Sequence, residues 1–377
     1  MSAYAAFKAW LARSSARPAV TIRWRHVVGF FVVLPILAVL GAWSGLYNVA
    51  ASTGHWKITD WFLHFAMRSS VRTYALGVAE PATLPDAGVQ PAAGHFAIAC
   101  AVCHGAPGEP RTQAMLRMLP YPPDLASVVD TWTDAQLFRI VKHGVRFTGM
   151  PAWPAQDRDD EVWDMVAFLR RLPSLGPGEY RELAYGPGQS KEFMVSIEDR
   201  IADCSRCHGK DGLGRSALVP VIAGQSEAYL LESLRAYVRR TRPGGIMSVA
   251  ANGLSDEVVG SLARHYAGLP GLSRVPRSGS GEVARINMEE GERIAVQGDS
   301  SRSIPACLGC HGQDRRPQYP RLFGQRADYI EEQLRLFRER KRTGTPFSHL
   351  MWNAAHRLTD ADIAAVAAYL ASEGGAK

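Results

Sequence analysis

The chain has 377 residues and six cysteines, and all six fall in three copies of one pattern. Cys100-Ala101-Val102-Cys103-His104, Cys204-Ser205-Arg206-Cys207-His208 and Cys307-Leu308-Gly309-Cys310-His311 each read Cys-x-x-Cys-His. Two thiols three positions apart on one helical turn can each add to a vinyl group of the same porphyrin. The histidine that follows is then carried beneath the iron as its proximal ligand. Cys-x-x-Cys alone would equally suit half a zinc site or a redox pair. A histidine directly after the second cysteine, three times over and with no cysteine left unused, points to three covalently attached haem c groups.

Each iron then needs a distal ligand, and a methionine at similar distance serves every motif. Met150, in Thr148-Gly149-Met150-Pro151-Ala152-Trp153, lies 46 residues beyond His104; Met247 lies 39 beyond His208, and Met351 lies 40 beyond His311. Met247 precedes Leu254-Ser255-Asp256 by seven positions, as Met351 precedes Leu358-Thr359-Asp360. The opposing reading is that these are gap-filling core methionines. Other candidate ligands are Met115, Met118, His143 and Met165 near the first motif, Met194 and His265 near the second, and Met288, His349 and His356 near the third. His349 and His356 flank Met351 and are the strongest competitors. His95 reads as an ordinary polar side chain near the first haem, and His55 and His64 as interfacial. A His/Met pair raises the reduction potential relative to two histidines and leaves no open position for a substrate, so it favours electron transfer over catalysis. No residue stands out as catalytic.

The elements that must position these groups read as mostly α. Haem-bearing units are expected over residues 94–173, 191–270 and 282–375, with linkers rich in proline and glycine at 77–94, 173–190 and 271–281. Each unit would hold a helix carrying the motif, a second helical segment and a closing helix: Asp160 to Leu172, Ser255 to Leu269, and Thr359 to Ala371. Ser255-Asp256 and Thr359-Asp360 are good N-terminal caps for the last two. The second and third units repeat one another. Gly224, Gln225, Tyr229, Leu234, Arg235, Arg242 and Pro220 recur as Gly324, Gln325, Tyr329, Leu334, Arg335, Arg342 and Pro320, always 100 residues on. Units this small should rely on the porphyrin for much of their interior.

Composition is ordinary for folded protein, with 46% hydrophobic and 21% charged residues. The formal charge of +7 is unevenly placed. Of 43 basic residues, five (Lys8, Arg13, Arg17, Arg23 and Arg25) lie before residue 27, the first acidic residue is Asp60, and the remaining 38 basic residues face 36 acidic ones. No basic face is left to neutralise phosphates, which argues against nucleic acid. A membrane explains the leader better. Val27 to Tyr47 is a 21-residue run without a charged side chain, about 31 Å as a helix and long enough to span a hydrocarbon core. Trp24, Trp43 and Tyr47 mark its ends, and the cations before it place the N-terminus in the cytoplasm. Residues 1–50 therefore read as leader and transmembrane anchor, with a cleaved signal peptide as the alternative. Either delivers the rest across the bacterial inner membrane to the periplasm. Residues 51–93 begin with His55 to Leu76, an amphipathic segment that lies along the membrane surface or packs on the first haem unit.

The haem motifs, Pro122-Pro123-Asp124-Leu125 and Gly149-Met150-Pro151-Ala152-Trp153 resemble class I cytochrome c domains. The Pro-x-x-x-Gly-Gln and Tyr-x-x-x-x-Leu-Arg patterns with the late methionine make units two and three similar to domains of two-haem class I cytochromes. The resemblance covers residues 94–375 and implies an N-terminal transmembrane helix followed by three class I cytochrome c domains. As a whole the chain resembles membrane-anchored triheme subunits of periplasmic dehydrogenase complexes. That implies a molybdenum or quinoprotein dehydrogenase as donor and a soluble cytochrome, quinone pool or terminal oxidase as acceptor. It also implies thioether cysteines, proximal histidines and distal methionines at the residues named above. Arg235, Arg242, Arg335 and Arg342 could meet haem propionates or, as the favoured reading, lie exposed on helix surfaces. Two other classes stay open: a subunit of a terminal oxidase assembly, and a multihaem enzyme such as a peroxidase or sulfur-compound oxidoreductase.

Overall fold

The computed structural model describes residues 23–46, 48–187, 196–271, 282–312 and 316–372, without the side chains of 51 and 282–287. Lys8, Arg13 and Arg17 of the leader, Met194 and most of the 271–281 linker lie outside these residues. The chain divides into two units, residues 1–55 and 56–377. Among the described residues it is helical, with no strand beyond the isolated bridges Ala106–Glu109 and Asp299–Ile304.

Among the described residues of the first unit, α1 (Trp24–Trp43) has no buried residue and carries Pro35 inside it. It is long and apolar enough to cross a membrane, a property that an N-terminal signal sequence shares.

Residues 56–377 open with α2 (Lys57–Ala75). Its C-terminal half packs on α4 (Asp134–His143). Val71 and Ala75 are buried there, Arg68 lies 4.5 Å over the Trp132 ring, and Arg139 lies 4.9 Å over Tyr74. The N-terminal half leaves Trp56, Ile58, Trp61, Phe62 and Phe65 exposed. Core packing and an exposed aromatic face thus belong to opposite ends of one helix.

Around the first motif the chain forms α3 (Val89–His95), widens into π-type turns over Phe96–Cys100 and tightens again over Ala101–His104. Then follow α4, α5 (Asp159–Arg171) and α6 (Pro177–Tyr185). Two stretches expected to be linkers are part of this core. All of Val89–His95 is buried, and α6 buries Tyr180, Ala184 and Tyr185. The prolines explain the difference. Pro91 and Pro177 stand in the first turn of their helices, where no N–H is needed, and Gly186 (φ +93°) terminates α6. Such residues punctuate helices as well as they build linkers. Phe96, Phe168, Met165, Tyr180 and Tyr185 fill the resulting core, the phenylalanines and the methionine each contributing about 1.5–3 kcal/mol by burial.

The second motif ends α7 (Ile197–His208), followed by α8 (Glu227–Val238), α9 (Gly245–Ala250) and α10 (Asp256–Ala267). Its buried cluster is small, with Leu230, Leu262, Ala263 and Tyr266 at the centre. In the third copy the motif does not continue the leading helix. Helix α11 (Glu282–Gln297) stops at Gly298 (φ +74°), and a loop intervenes before the short α12 (Leu308–His311). Helices α13 (Ala327–Arg338), α14 (Ser348–Ala355) and α15 (Asp360–Ala371) complete it. Helix α11 approaches α15 closely enough that a Cβ on Gly291 would sit 2.0 Å from the Ala365 carbonyl oxygen. The closing helices α5, α10 and α15 begin within a residue of the expected positions. Ser255 Oγ accepts the Val258 N–H and Thr359 Oγ1 accepts that of Asp362, as caps. The repeat is structural too: the Gly224 N–H donates to Tyr266 O at 2.9 Å, and that of Gly324 to Leu370 O at 3.0 Å.

Candidate haem sites

Each Cys-x-x-Cys-His motif lies on one helical turn, and none of its cysteines forms a disulfide. Burial pushes the thiols up, to about 12 at Cys100 and Cys204 and about 11 at Cys207 and Cys307. The three histidines are held alike. His104 Nδ1 donates to Pro123 O at 2.9 Å, His208 Nδ1 to Pro220 O at 3.3 Å, and His311 Nδ1 to Pro320 O at 2.8 Å. A carbonyl can only accept, so this contact puts the proton on Nδ1 and leaves the Nε2 lone pair free to bind metal. Burial also favours the neutral ring: it lowers His104 and His311, and lowers His208 to about 4. Fixing the far nitrogen to a carbonyl is how metal-ligating histidines are oriented. Among the described residues no three His, Cys, Asp or Glu side chains converge as a metal cluster, so the zinc reading of Cys-x-x-Cys has no other ligands to complete it. A cavity of about 560 Å³ opens beside Cys310, walled by Tyr319 and Pro320 on one side and Gly224, Leu231 and Ala267 on the other. The donor set fits covalent haem.

The methionines occupy three settings. Met150 is half-buried in a tight loop closed by Gly144 (φ +64°), where a Cβ would lie 2.6 Å from the Met150 carbonyl oxygen. Met247 lies on α9 and Met351 on α14, where it packs against the third core. Among the competitors, Met165 is fully buried in the first core, and His143 and His349 are exposed. His356 is engaged at both ring nitrogens, Nδ1 with the Asn353 carbonyl and Nε2 with Arg357 Nε. Met118 is the nearest rival to Met150, since its methyl lies 2.6 Å from the place of a Cβ on Gly149. Met115, Met288 and His265 are half-buried. His95 is buried against the Trp153 ring at 4.6 Å, and His55 and His64 are exposed.

The four repeated arginines split by position. Arg235 and Arg335 are surface residues, paired with Asp256 and Glu331. Arg242 and Arg342 turn instead into the contact between the second and third copies, a correction to their expected exposure. Arg242 is 5% exposed and lies 4.6 Å over the Tyr237 ring. Arg342 donates to Tyr229 Oη at 3.0 Å. Burial pushes the Tyr229 phenol up, but Arg342 and Arg242 outweigh it and bring it to about 8. Periodicity gives both members of each pair the same spacing and cannot tell which way they point.

Other positioning residues join the first and second copies. Gln90 Nε2 donates to Arg206 O at 3.1 Å, and a Cβ on Gly94 would lie 2.9 Å from Cys207 Sγ. Glu161, paired with Arg158 at 3.1 Å, accepts the Gly245 N–H at 2.6 Å and the Trp153 Nε1–H at 3.2 Å. A carboxylate from the first copy thereby caps the helix that bears Met247. Burial raises the Glu161 pKa despite Arg158. Nothing in the sequence distinguishes Glu161 from neighbouring surface acids. The proline carbonyls did leave a trace, in the 100-residue recurrence of Pro220 and Pro320.

Residues 87–169 match the model of the family described as cytochrome C oxidase, cbb3-type, subunit III, and residues 288–373 match that described as cytochrome c. The chain is 38% identical over 176 residues to a thiosulfate dehydrogenase electron acceptor of Thiomonas intermedia (strain K12), spanning 46% of this chain and 79% of that protein. The chain belongs to the class I cytochrome c family, whose domains bear covalently bound haem c and transfer electrons. Within it, the chain is also similar to the cytochrome c4 of Azotobacter vinelandii, 33% identical over 46% of this chain and 85% of that one. The solved cytochrome c4 of Acidithiobacillus ferrooxidans aligns at 32% identity and a TM-score of 0.40, over 45% of this chain and 98% of that one.

Proposed function

We propose that the chain is a membrane-anchored relay with three haem c groups, one on each motif, exposed to the periplasm. His104, His208 and His311 are the proximal ligands and Met150, Met247 and Met351 the distal ones. The observation that carries this reading is the threefold repetition of one contact, a motif histidine giving its Nδ1 proton to a proline carbonyl. Bound haem c supplies an iron that takes up and releases one electron. The cysteines hold the porphyrin, the histidines stay neutral and oriented, and a thioether in the last position keeps the potential high and substrates away. Helix α1 anchors the chain, and the exposed aromatic end of α2 adds an interfacial surface.

A dehydrogenase reduces the relay, and a soluble cytochrome, quinone pool or terminal oxidase takes the electron. The name of the Thiomonas relative favours a donor that oxidises thiosulfate over a molybdenum or quinoprotein type. A second reading, a cytochrome subunit within a terminal oxidase assembly, is favoured by the description of the family matched at residues 87–169. Mass spectrometry of chain matured in its own host should return the polypeptide plus three haems. The bare mass would end the proposal. Companions identified after mild solubilisation of the membrane separate the two readings: a dehydrogenase supports the first and a haem–copper oxidase the second.

A further inference from the structure

The glutamines repeated at 225 and 325 make a crossed pair. Gln225 Oε1 accepts the Arg321 N–H at 2.8 Å, and its Nε2 donates to Arg321 O at 3.0 Å. Gln325 Oε1 accepts the Val221 N–H at 2.8 Å, and its Nε2 donates to Val221 O at 2.9 Å. Both side chains are buried, 3% and 4% exposed. Their amide orientation follows from their partners, because each Oε1 also accepts the next backbone N–H, from Ser226 or Arg326. Reversing either amide would set NH2 against N–H.

The N–H groups so bound have a particular place in the chain. The Val221 N–H belongs to the same peptide group as the Pro220 carbonyl, which accepts from His208 Nδ1. The Arg321 N–H belongs to the same peptide group as the Pro320 carbonyl, which accepts from His311 Nδ1. A peptide whose N–H is well bonded becomes a better acceptor at its carbonyl. A better acceptor draws the Nδ1 proton and makes the imidazole a stronger donor to iron, which favours the ferric state.

We propose that Gln225 and Gln325 are positioning residues that set haem potentials crosswise: Gln225 acts on the haem at His311, and Gln325 on the haem at His208. The inference rests on the haem-bearing reading above. It makes each domain of the pair incomplete alone, because the last group in each proximal hydrogen-bond chain comes from the other domain.

The test is a redox titration of the full, haem-loaded chain, followed by electron paramagnetic resonance. Chains with Met247→His or Met351→His, each altering one haem's spectrum, supply the assignment. In Gln225→Leu the carbonyl of Pro320 weakens as acceptor. At a fixed potential the ferrous-to-ferric ratio of the His311 haem should rise about two- to fivefold, with the His208 haem nearly unchanged. Gln325→Leu should reverse the pattern. Gln225→Glu keeps an acceptor oxygen and strengthens it, so the His311 haem should move the opposite way, a sign reversal that mere loosening of the interface would not give. A larger shift at the haem of the substituted domain, equal shifts at both, no shift, or the same sign for Leu and Glu would overturn crossed control while leaving the haem reading intact. Chain that carries no haem would overturn both.

Discussion

The second copy meets its two neighbours in different ways. Toward the third copy the contact is reciprocal: Gln225 and Gln325 each clasp the backbone of the other copy, and Arg242 and Arg342 both turn inward. Toward the first copy no two equivalent residues answer each other among the described residues. Glu161 caps α9, Gln90 holds the Arg206 carbonyl, and Arg206 lies 4.9 Å over the ring of Tyr185 on α6. Like sequences meet through like residues, whereas the divergent first copy meets the second through unlike residues from both sides, Arg215 of the second donating to the Glu182 carbonyl. The cores differ in parallel. The first copy closes around several fully buried aromatic rings, and the second around Leu230, Leu262, Ala263 and a single ring, Tyr266.

The largest test of that contrast removes the porphyrin from one copy at a time. Cys204→Ser with Cys207→Ser should abolish ordered structure in the second copy, seen as lost amide exchange protection across α8 and α10. The same pair of changes at Cys100 and Cys103 should leave α3, α5 and α6 protected, because their own buried side chains already form a contiguous core. Equal loss in both would erase the distinction. Next in size is Glu161→Ala, which removes one of the two carboxylates on the Arg158 guanidinium, leaving Asp160 bound at Nε, and frees the Gly245 N–H. Leaving that buried donor without a partner costs about 1–3 kcal/mol. Urea unfolding should register it, and the methionine–iron charge-transfer band of the second haem should weaken while the third haem's persists. Thr359→Ala should lower stability by about 1 kcal/mol through loss of the α15 cap, measured by the same unfolding midpoint, with Ser255→Ala giving a similar decrement in its own copy.

The smallest expected effect concerns pH and the third copy. Hydrogen bonds from Ser301 and Arg302 hold the Asp299 carboxyl well below its ordinary range. Burial pushes Asp362 up, but Arg302 and Thr359 outweigh it and the net shift is downward. Carboxylates with depressed pKa values bind fewer protons folded than unfolded. Their contribution is complete above about pH 4 and disappears as pH falls through the folded values. Acid titration followed by exchange protection should therefore loosen α11 and α15 before α5. Simultaneous loosening would remove this distinction.

Much of this architecture was legible in the sequence. The haem motifs fix chemistry by residue type, and the closing helices announce themselves through Ser255, Thr359 and a clear apolar period. Linkers were harder, because Pro91 and Pro177 look the same whether they begin a helix or interrupt one. Direction was hardest. Gln225 is a polar residue in a loop until its partner, 96 positions away at Arg321, is known, and Glu161 is one acid among three at the start of α5. Local pattern records what an element is, and only the packed chain records what it faces.

The crossed clasp between residues 225 and 325 has the form of a two-fold dimer made inside one polypeptide. Surfaces of that kind are self-complementary. The second domain prepared by itself, with haem, should pair with another copy of itself through Gln225, and sedimentation of such a fragment would reveal it. In the intact chain the tether replaces that encounter with an intramolecular one, so the spacing between the two domains holds at any dilution.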